Sequence, residues 1–267
     1  MAAYLVRRDT RLATTGDLAP LAFAGYAHFT AMQAREGLVR GLDLHLARLR
    51  SASLRLFGQA LPDARVRSAL RTALDAAPAD VSLTATLYST AGEFTVPEPE
   101  AELSILVRTG PPADGPSGPL RLTAVPHERH LPAVKHVGEV AKTYYLRQAA
   151  AQGRDDAAFV DRRGRLSEAT IWNLAFWDGT SVVWPRAPKL DGTTMGVVRR
   201  QLEAMDVPQR AEDVTLRDLA GLSGAVVMNS WTPGVTVREI GSVPLPEAPD
   251  FLGLLHRAYR AEPAIAP

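Results

Sequence analysis

The amino-acid sequence predicts an α+β fold in two domains, and three observations carry that prediction. Segments of strand character and of helix character are mixed along the chain without the strict alternation that builds a doubly wound parallel sheet. The tract Gly110-Pro111-Pro112-Ala113-Asp114-Gly115-Pro116-Ser117-Gly118-Pro119 is dominated by Pro and Gly, which neither a helix nor a sheet interior tolerates at that density. The chain has 267 residues, 46 % of them hydrophobic, a length that suits one large domain or two smaller ones and a composition that supplies a core, and the Pro- and Gly-rich tract favours two. We therefore expect an N-terminal α+β domain over 1–109, an interdomain loop over 110–118 and a C-terminal α+β domain over 119–267.

The elements follow in order. Residues 3–8 and 21–35 read as strands, with Gly37 at a turn. Residues 41–57 read as a helix: Leu42, Leu46, Leu49, Leu54 and Phe57 form an apolar stripe at near-helical spacing, and Gly58 stops it. Pro62 opens a second helix with Val66, Leu70 and Leu74 on one face. Residues 81–88 and 103–107 are strands rich in β-branched or apolar side chains. Beyond the Pro- and Gly-rich tract, 120–125 is a strand and 136–152 a helix closed by Gly153. Residues 157–161 and 166–169 pair across Arg162-Arg163-Gly164-Arg165, and 172–177 and 181–184 flank Asp178-Gly179, a second hairpin. A helix over 194–205, strands over 225–229 and 235–240, and a closing helix over 248–260 complete the chain. No internal repeat is present.

Composition narrows the function. A net charge of +1 gives no electrostatic case for nucleic acid. No apolar run approaches transmembrane length, and the first eight residues lack the apolar region of a signal peptide, so we expect a soluble cytoplasmic protein away from membranes. The absence of Cys excludes disulfides and thiolate metal sites. His28, His45, His127, His130, His136 and His256 lack the spacing of a zinc protease, and no metal is expected.

Lysine usage is the most informative detail. Of 30 basic residues only Lys135, Lys142 and Lys189 are Lys. Arg stays protonated, whereas Lys in a dry pocket can lose its proton and attack a carbonyl. Lys135 follows the apolar run Leu131-Pro132-Ala133-Val134 and stands 33 residues before Glu168. On position alone an ordinary surface Lys is the simpler reading. A pyridoxal phosphate site, however, needs an imine-forming Lys, an acid opposite the pyridine nitrogen, and a helix start plus a cation for the phosphate. Lys135, Glu168, Gly192-Thr193-Thr194 and Arg48 offer one candidate for each part.

Six stretches carry a family resemblance: Phe29-Thr30-Ala31-Met32-Gln33, Asp43-Leu44-His45-Leu46-Ala47-Arg48-Leu49, Val134-Lys135-His136, Asp155-Asp156-Ala157-Ala158-Phe159-Val160-Asp161, Gly164-Arg165-Leu166-Ser167-Glu168-Ala169-Thr170-Ile171-Trp172-Asn173-Leu174, and Leu190-Asp191-Gly192-Thr193-Thr194. Each alone is weak; together, in this order, they make the chain resemble the class IV aminotransferases. These are the fold-type IV pyridoxal phosphate enzymes, which include branched-chain and D-amino-acid aminotransferases and aminodeoxychorismate lyase. The resemblance runs from about residue 23 to 240. It implies a two-domain α+β fold like that of D-amino-acid aminotransferase, the cofactor pyridoxal 5'-phosphate in the cleft between the domains, and a homodimer.

The resemblance also implies roles. Lys135 would hold the cofactor as a Schiff base and shuttle the proton between Cα and C4′. Glu168 would pair with the pyridine nitrogen. Arg48, Thr193 and Thr194 would hold the phosphate, with Trp231 in the second phosphate-contacting turn, 230–232, where relatives often carry small hydroxyl residues. Phe29, Ala31 and Gln33, on one face of their strand by alternation, would line the substrate pocket. Lys142 matches no family lysine, His136 should point away from Lys135, and His45 reads as a packing or capping residue. Where relatives often have Arg or Lys, Gln33 is neutral, and the 111–116 loop lacks the cation that binds a carboxylate in D-amino-acid aminotransferases. Three functions follow: an aminotransferase acting on an amino acid or amine and a 2-oxo acid; a lyase of the aminodeoxychorismate type, releasing pyruvate; and a cofactor-binding protein without turnover.

Overall fold

The computed structural model describes residues 5–23, 25–91 and 102–267. The first unit takes in 1–113, 134–138 and 263–267, and the second 114–133 and 139–262. In chain order the elements are β1 (Leu5–Arg8), β2 (Arg11–Leu12), α1 (Thr15–Phe23), β3 (Ala27–Arg35), β4 (Leu38–Arg40), α2 (Leu42–Phe57), α3 (Asp63–Asp75), β5 (Val81–Ser89), β6 (Leu103–Gly110), β7 (Leu120–Pro126) and α4 (Val140–Ala151). Then come β8 (Asp156–Val160), β9 (Leu166–Ala169), β10 (Asn173–Trp177), β11 (Val182–Pro185), α5 (Thr193–Ala204), β12 (Gln209–Glu212), β13 (Gly224–Met228), β14 (Val235–Ile240), β15 (Val243–Pro244), α6 (Pro249–Ala261) and β16 (Ala264–Ile265).

The first unit is an antiparallel sheet in the order β16-β4-β3-β5-β6-β1-β2. Its core joins Met32, Ala34, Leu83, Leu87 and Ile105 of the strands to Leu42, Leu46, Leu49, Val66 and Leu70 of α2 and α3. Two expectations change here. The stretch expected as one strand over 21–35 is a helix and then a strand, with α1 ending at Phe23. Thr14 and Asp17 form a reciprocal cap: the Thr14 N–H and Oγ donate to Asp17 Oδ2 at 2.7 and 2.8 Å, and the Asp17 N–H returns to Thr14 O at 3.1 Å. On α2 the buried stripe runs Leu42, Leu46, Leu49, Ser53, Leu56, so Leu56 takes the place expected for Leu54, which is 53 % exposed. Phe57 packs at the margin of the core.

The second unit is a nine-stranded mixed sheet, and six of its strands close on themselves. The order β10-β13-β14-β7-β8-β9 returns to β10 through the pair Glu168–Asn173, which makes a barrel. Side chains alternate about its wall as strand geometry requires. Leu174, Phe176, Ala225 and Val227 turn into the barrel. Ala175, Val226 and Met228 turn outward beneath Met195, Val198 and Leu202 of α5 and Phe251 and Leu255 of α6. Both expected hairpins form, β8 with β9 and β10 with β11.

The helix expected over 136–152 begins only at Val140, because the preceding backbone is taken up by strand pairing. Phe29 N–H donates to Lys135 O at 2.8 Å and Val137 N–H to Ala27 O at 2.9 Å, so 135–137 lies beside the start of β3. No helix among the described residues is long and apolar enough to cross a membrane. Among those residues, no cluster of three or more His, Asp or Glu could hold a metal ion.

Candidate functional site

In the first unit the site residues are organised by β3. His28, Thr30, Met32 and Ala34 point toward the helices. There His28 Nε2 meets Ser53 Oγ at 2.8 Å and Thr30 Oγ1 meets His45 Nδ1 at 2.6 Å. Burial holds both imidazoles neutral, pushing His28 down to about 4; for His45 the Arg48 charge adds to burial and takes it to about 3. Phe29, Ala31 and Gln33 share the opposite, half-buried face, and Lys135 presents Nζ 4.8 Å from the centroid of the Phe29 ring. The Lys135 side chain thus stands on the face that the alternation singles out. Arg48 is half-buried on α2, one turn beyond His45.

Arg35 shares that face of β3, and the sequence reading missed it. Its guanidinium donates to Gln33 Oε1 and Ala34 O, both at 3.1 Å, and to Ala113 O at 3.3 Å. Gln33 Oε1 also accepts from Ala113 N–H at 2.9 Å and Ser82 Oγ at 3.1 Å. Gln33 and Arg35 together tie the start of the 111–118 loop to the strand. A cation therefore stands where the loop sequence alone offered none.

In the second unit the centre is Glu168 on β9, 2 % exposed. Its Oε1 accepts from Arg129 Nη1 at 3.1 Å and from Leu190 N–H at 3.3 Å, and Lys142 Nζ stands 3.7 Å from its Oε2. Arg129 donates onward from Nε to Glu139 Oε2 at 2.6 Å and from Nη1 to Pro132 O at 2.8 Å. Two cations and two carboxylates thus alternate in a row, Glu139, Arg129, Glu168, Lys142, whose middle pair is buried and whose ends are partly buried. His127 lies against it; burial lowers its pKa, and its Nε2 finds no hydrogen-bond partner among the described residues.

From Glu168 the structure leads directly to a helix start. Asn173, the cross-strand partner of Glu168, donates Nδ2 to Leu190 O at 2.7 Å. Its Oδ1 lies so close to Gly192 that a Cβ there would stand 1.9 Å away, so position 192 admits only glycine while Asn173 keeps its place. Gly192 caps α5, which opens with the buried Thr193 and Thr194. Thr194 Oγ1 donates to Asn229 O at 2.8 Å, and Asn229 Oδ1 accepts the Trp231 N–H, also at 2.8 Å. The Trp231 amide is thereby committed to Asn229, and what Trp231 presents outward is its ring, set edge-on to Trp172 at 5.7 Å. The start of a twelve-residue helix, small residues and an adjoining turn make a cradle suited to a phosphate.

The residues fit the demands of pyridoxal phosphate. Glu168 is a carboxylate held in place, the kind of group a pyridine nitrogen requires, and the α5 start in the same unit is suited to a phosphate. The three lysines are also distinguished. Lys189 donates to Pro185 O at 2.8 Å. Lys142 Nζ faces the Glu168 carboxylate at 3.7 Å. Lys135 Nζ stands over the Phe29 ring.

The model of the amino-transferase class IV family matches residues 27–240. A comparison with curated protein sequences gave no match. Among solved structures, the branched-chain amino acid aminotransferase from Escherichia coli superposes with a TM-score of 0.84 at 14 % identity, over 98 % of this chain and 94 % of that one. The branched-chain aminotransferase from Thermoproteus uzoniensis, solved with norvaline, gives 0.81 at 17 % identity over 97 % and 94 %. The 4-amino-4-deoxychorismate lyase from Pseudomonas aeruginosa gives 0.77 at 22 % identity over 96 % and 97 %. At these identities the likeness speaks to the fold, and it spans both enzyme types.

Proposed function

The chain belongs to the amino-transferase class IV family, and on that footing we propose that it is a pyridoxal phosphate-dependent aminotransferase. It would move an amino group between an amino acid or amine and a 2-oxo acid. The observation that carries this reading is the continuous path from the buried Glu168 carboxylate, through Asn173 and Gly192, to the start of α5.

When bound, pyridoxal phosphate supplies an electron sink that makes the Cα proton of the substrate amine labile. The protein's own groups do the rest. Lys135 Nζ would hold the cofactor covalently and, once released, take and return the proton at substrate Cα; Arg could do neither. Glu168 would hold a proton at the ring nitrogen, oriented by Arg129 and the Leu190 N–H. Thr193 and Thr194 at the start of α5 would bind the phosphate, with Arg48 as the cation. Trp231 would cover the adjoining turn with its ring. Phe29 and Ala31 would offer an apolar wall to the substrate, and Gln33 would hold the loop rather than pair with an anion. The proposal includes a homodimer, to be read by analytical ultracentrifugation.

Borohydride reduction of the loaded protein followed by peptide mass mapping should place the pyridoxyl group on Lys135. Label on Lys142 or Lys189 would overturn the assignment. A donor–acceptor panel should show transfer, with neutral, apolar or amine donors ahead of glutamate and aspartate. Pyruvate release from aminodeoxychorismate without transfer would replace this reading with the lyase, and no turnover of any amine would leave a binding protein.

A further inference from the structure

Lys142 has no part in the function proposed above, yet it is placed with care. Its side chain is 14 % exposed, on α4, and it faces Glu168 Oε2. At 3.7 Å the contact is an ion pair beyond hydrogen-bonding distance, so it leaves Oε2 able to accept from another donor. Oε1, by contrast, is occupied by Arg129 and the Leu190 N–H. The carboxylate is therefore bound on one oxygen and only biased on the other.

Resting on the reading that Glu168 meets the cofactor's ring nitrogen, we infer that Lys142 is a positioning residue that shares Glu168 with that nitrogen and limits how firmly the nitrogen keeps its proton. A protonated ring nitrogen is a cation. Glu168 stabilises it, and a second cation a few ångströms beyond Oε2 opposes it. The balance is set by the whole row. Arg129 adds positive charge, Glu139 neutralises Arg129, and His127 lies nearby with its pKa lowered by burial. Burial lowers the pKa of Lys142, and Glu168 acts against that lowering. The lysine is thus a charge whose weight in the site is itself sensitive to its neighbours.

The sign of each substitution follows. Removing the Lys142 charge should raise the pH at which the ring nitrogen loses its proton. Removing the Glu139 charge leaves Arg129 less neutralised and should lower it. One charge at about 6–8 Å, under an effective dielectric of about 20, shifts a titration by roughly one to two pH units.

The test uses the full-length protein loaded with pyridoxal phosphate carrying 15N in the ring. The ring-nitrogen chemical shift is followed against pH for the wild type and for Lys142→Met, Lys142→Arg, Glu139→Gln and Glu168→Gln. We expect Lys142→Met to move the titration up by about one to two units, Lys142→Arg to track the wild type, and Glu139→Gln to move it down. A Lys142→Met titration within about 0.3 units of the wild type would overturn the inference. Should Lys142→Met fail to fold, Lys142→Arg and Glu139→Gln decide: the wrong sign for Glu139→Gln, or a Lys142→Arg protein displaced from wild type, overturns it equally. Glu168→Gln separates the two layers of argument. If it leaves the ring nitrogen unchanged, the placement of Glu168 fails and the role of Lys142 with it. If it shifts the ring nitrogen while Lys142→Met does not, only the role of Lys142 fails. Failure of the chain to take up pyridoxal phosphate overturns both.

Discussion

Replacing Gly192 by Ala adds a single methyl group, and the structure says where it goes. The new Cβ would lie 1.9 Å from Asn173 Oδ1 and 3.1 Å from Asn173 Cγ, while Met195 Cβ, at 3.7 Å, is in ordinary contact. The backbone at 192, with φ −61 and ψ 140, suits any residue, so the cost is purely steric. Asn173 is 6 % exposed and anchored by its 2.7 Å bond to Leu190 O, and it cannot swing away without breaking that bond. Overpacking costs about 1–3 kcal/mol and a lost buried hydrogen bond about 0.5–1.5 kcal/mol, so we expect a loss of about 2–4 kcal/mol. For a chain of this size that lowers Tm by on the order of 5–15 °C. Calorimetry or circular dichroism melts read this directly, and pyridoxal phosphate affinity should fall with it, because the α5 start is displaced. The mechanism is isolated by a double-mutant cycle. In the Asn173→Ala background the obstacle is gone, and adding Gly192→Ala should cost less than about 0.5 kcal/mol. Equal costs in both backgrounds, or a Gly192→Ala protein as stable as wild type, would refute the steric argument.

Other expectations are as specific. Arg48→Ala should weaken pyridoxal phosphate binding by about 10–100-fold, the value of a hydrogen bond to a charged group, measured by fluorescence titration; unchanged affinity would make Arg48 a structural residue of α2. Glu168→Ala should still take up cofactor but lose most turnover, since a buried charge partner contributes roughly 2–5 kcal/mol, and wild-type kcat would rule out its pairing with the ring. His45 is held neutral down to about pH 3 in the folded protein, against an ordinary value of 6.5. The unfolded chain therefore takes up a proton between those values that the folded one refuses. The stability from His45 is complete above pH 6.5 and is lost as the pH falls toward 3, by roughly 1.4 kcal/mol per unit. His45→Gln should flatten urea-derived stability across that window; an unchanged slope would contradict the burial argument.

Periodicity and punctuation made most elements legible. The two hairpins of the second unit were visible in their turn residues, and α3 in Pro62 and its apolar face. The start of α1 was signalled by Thr14-Thr15-Gly16-Asp17, a capping pattern overlooked beside the apolar stretch that follows. Lys135, Glu168 and Gly192-Thr193-Thr194 stood out because each answers a separate chemical demand. Arg129, Glu139 and Lys142 did not, because their relation to Glu168 arises only when α4 and the segment after β7 pack near β9, and no local spacing records that. Arg35 was within reach of the same period-2 argument that selected Phe29, Ala31 and Gln33, carried one step further. The closure of the barrel was hidden for a different reason: it depends on β7 lying beside β14, strands more than a hundred residues apart.

That closure has a consequence for where new chain ends can be introduced. The β9–β10 seam is a single residue pair, and its two members, Glu168 and Asn173, are the ones that fix Leu190 and Gly192. A circular permutant opened between Ala169 and Trp172 would free the strand ends at the point where barrel and candidate site are joined, and should lose both together. Opened instead between Arg162 and Arg163, on the exposed turn of the β8–β9 hairpin, the chain keeps every pairing that closes the ring. Comparing the two permutants by cofactor uptake and by melting would show whether the wall of the barrel and the floor of the site are one mechanical object.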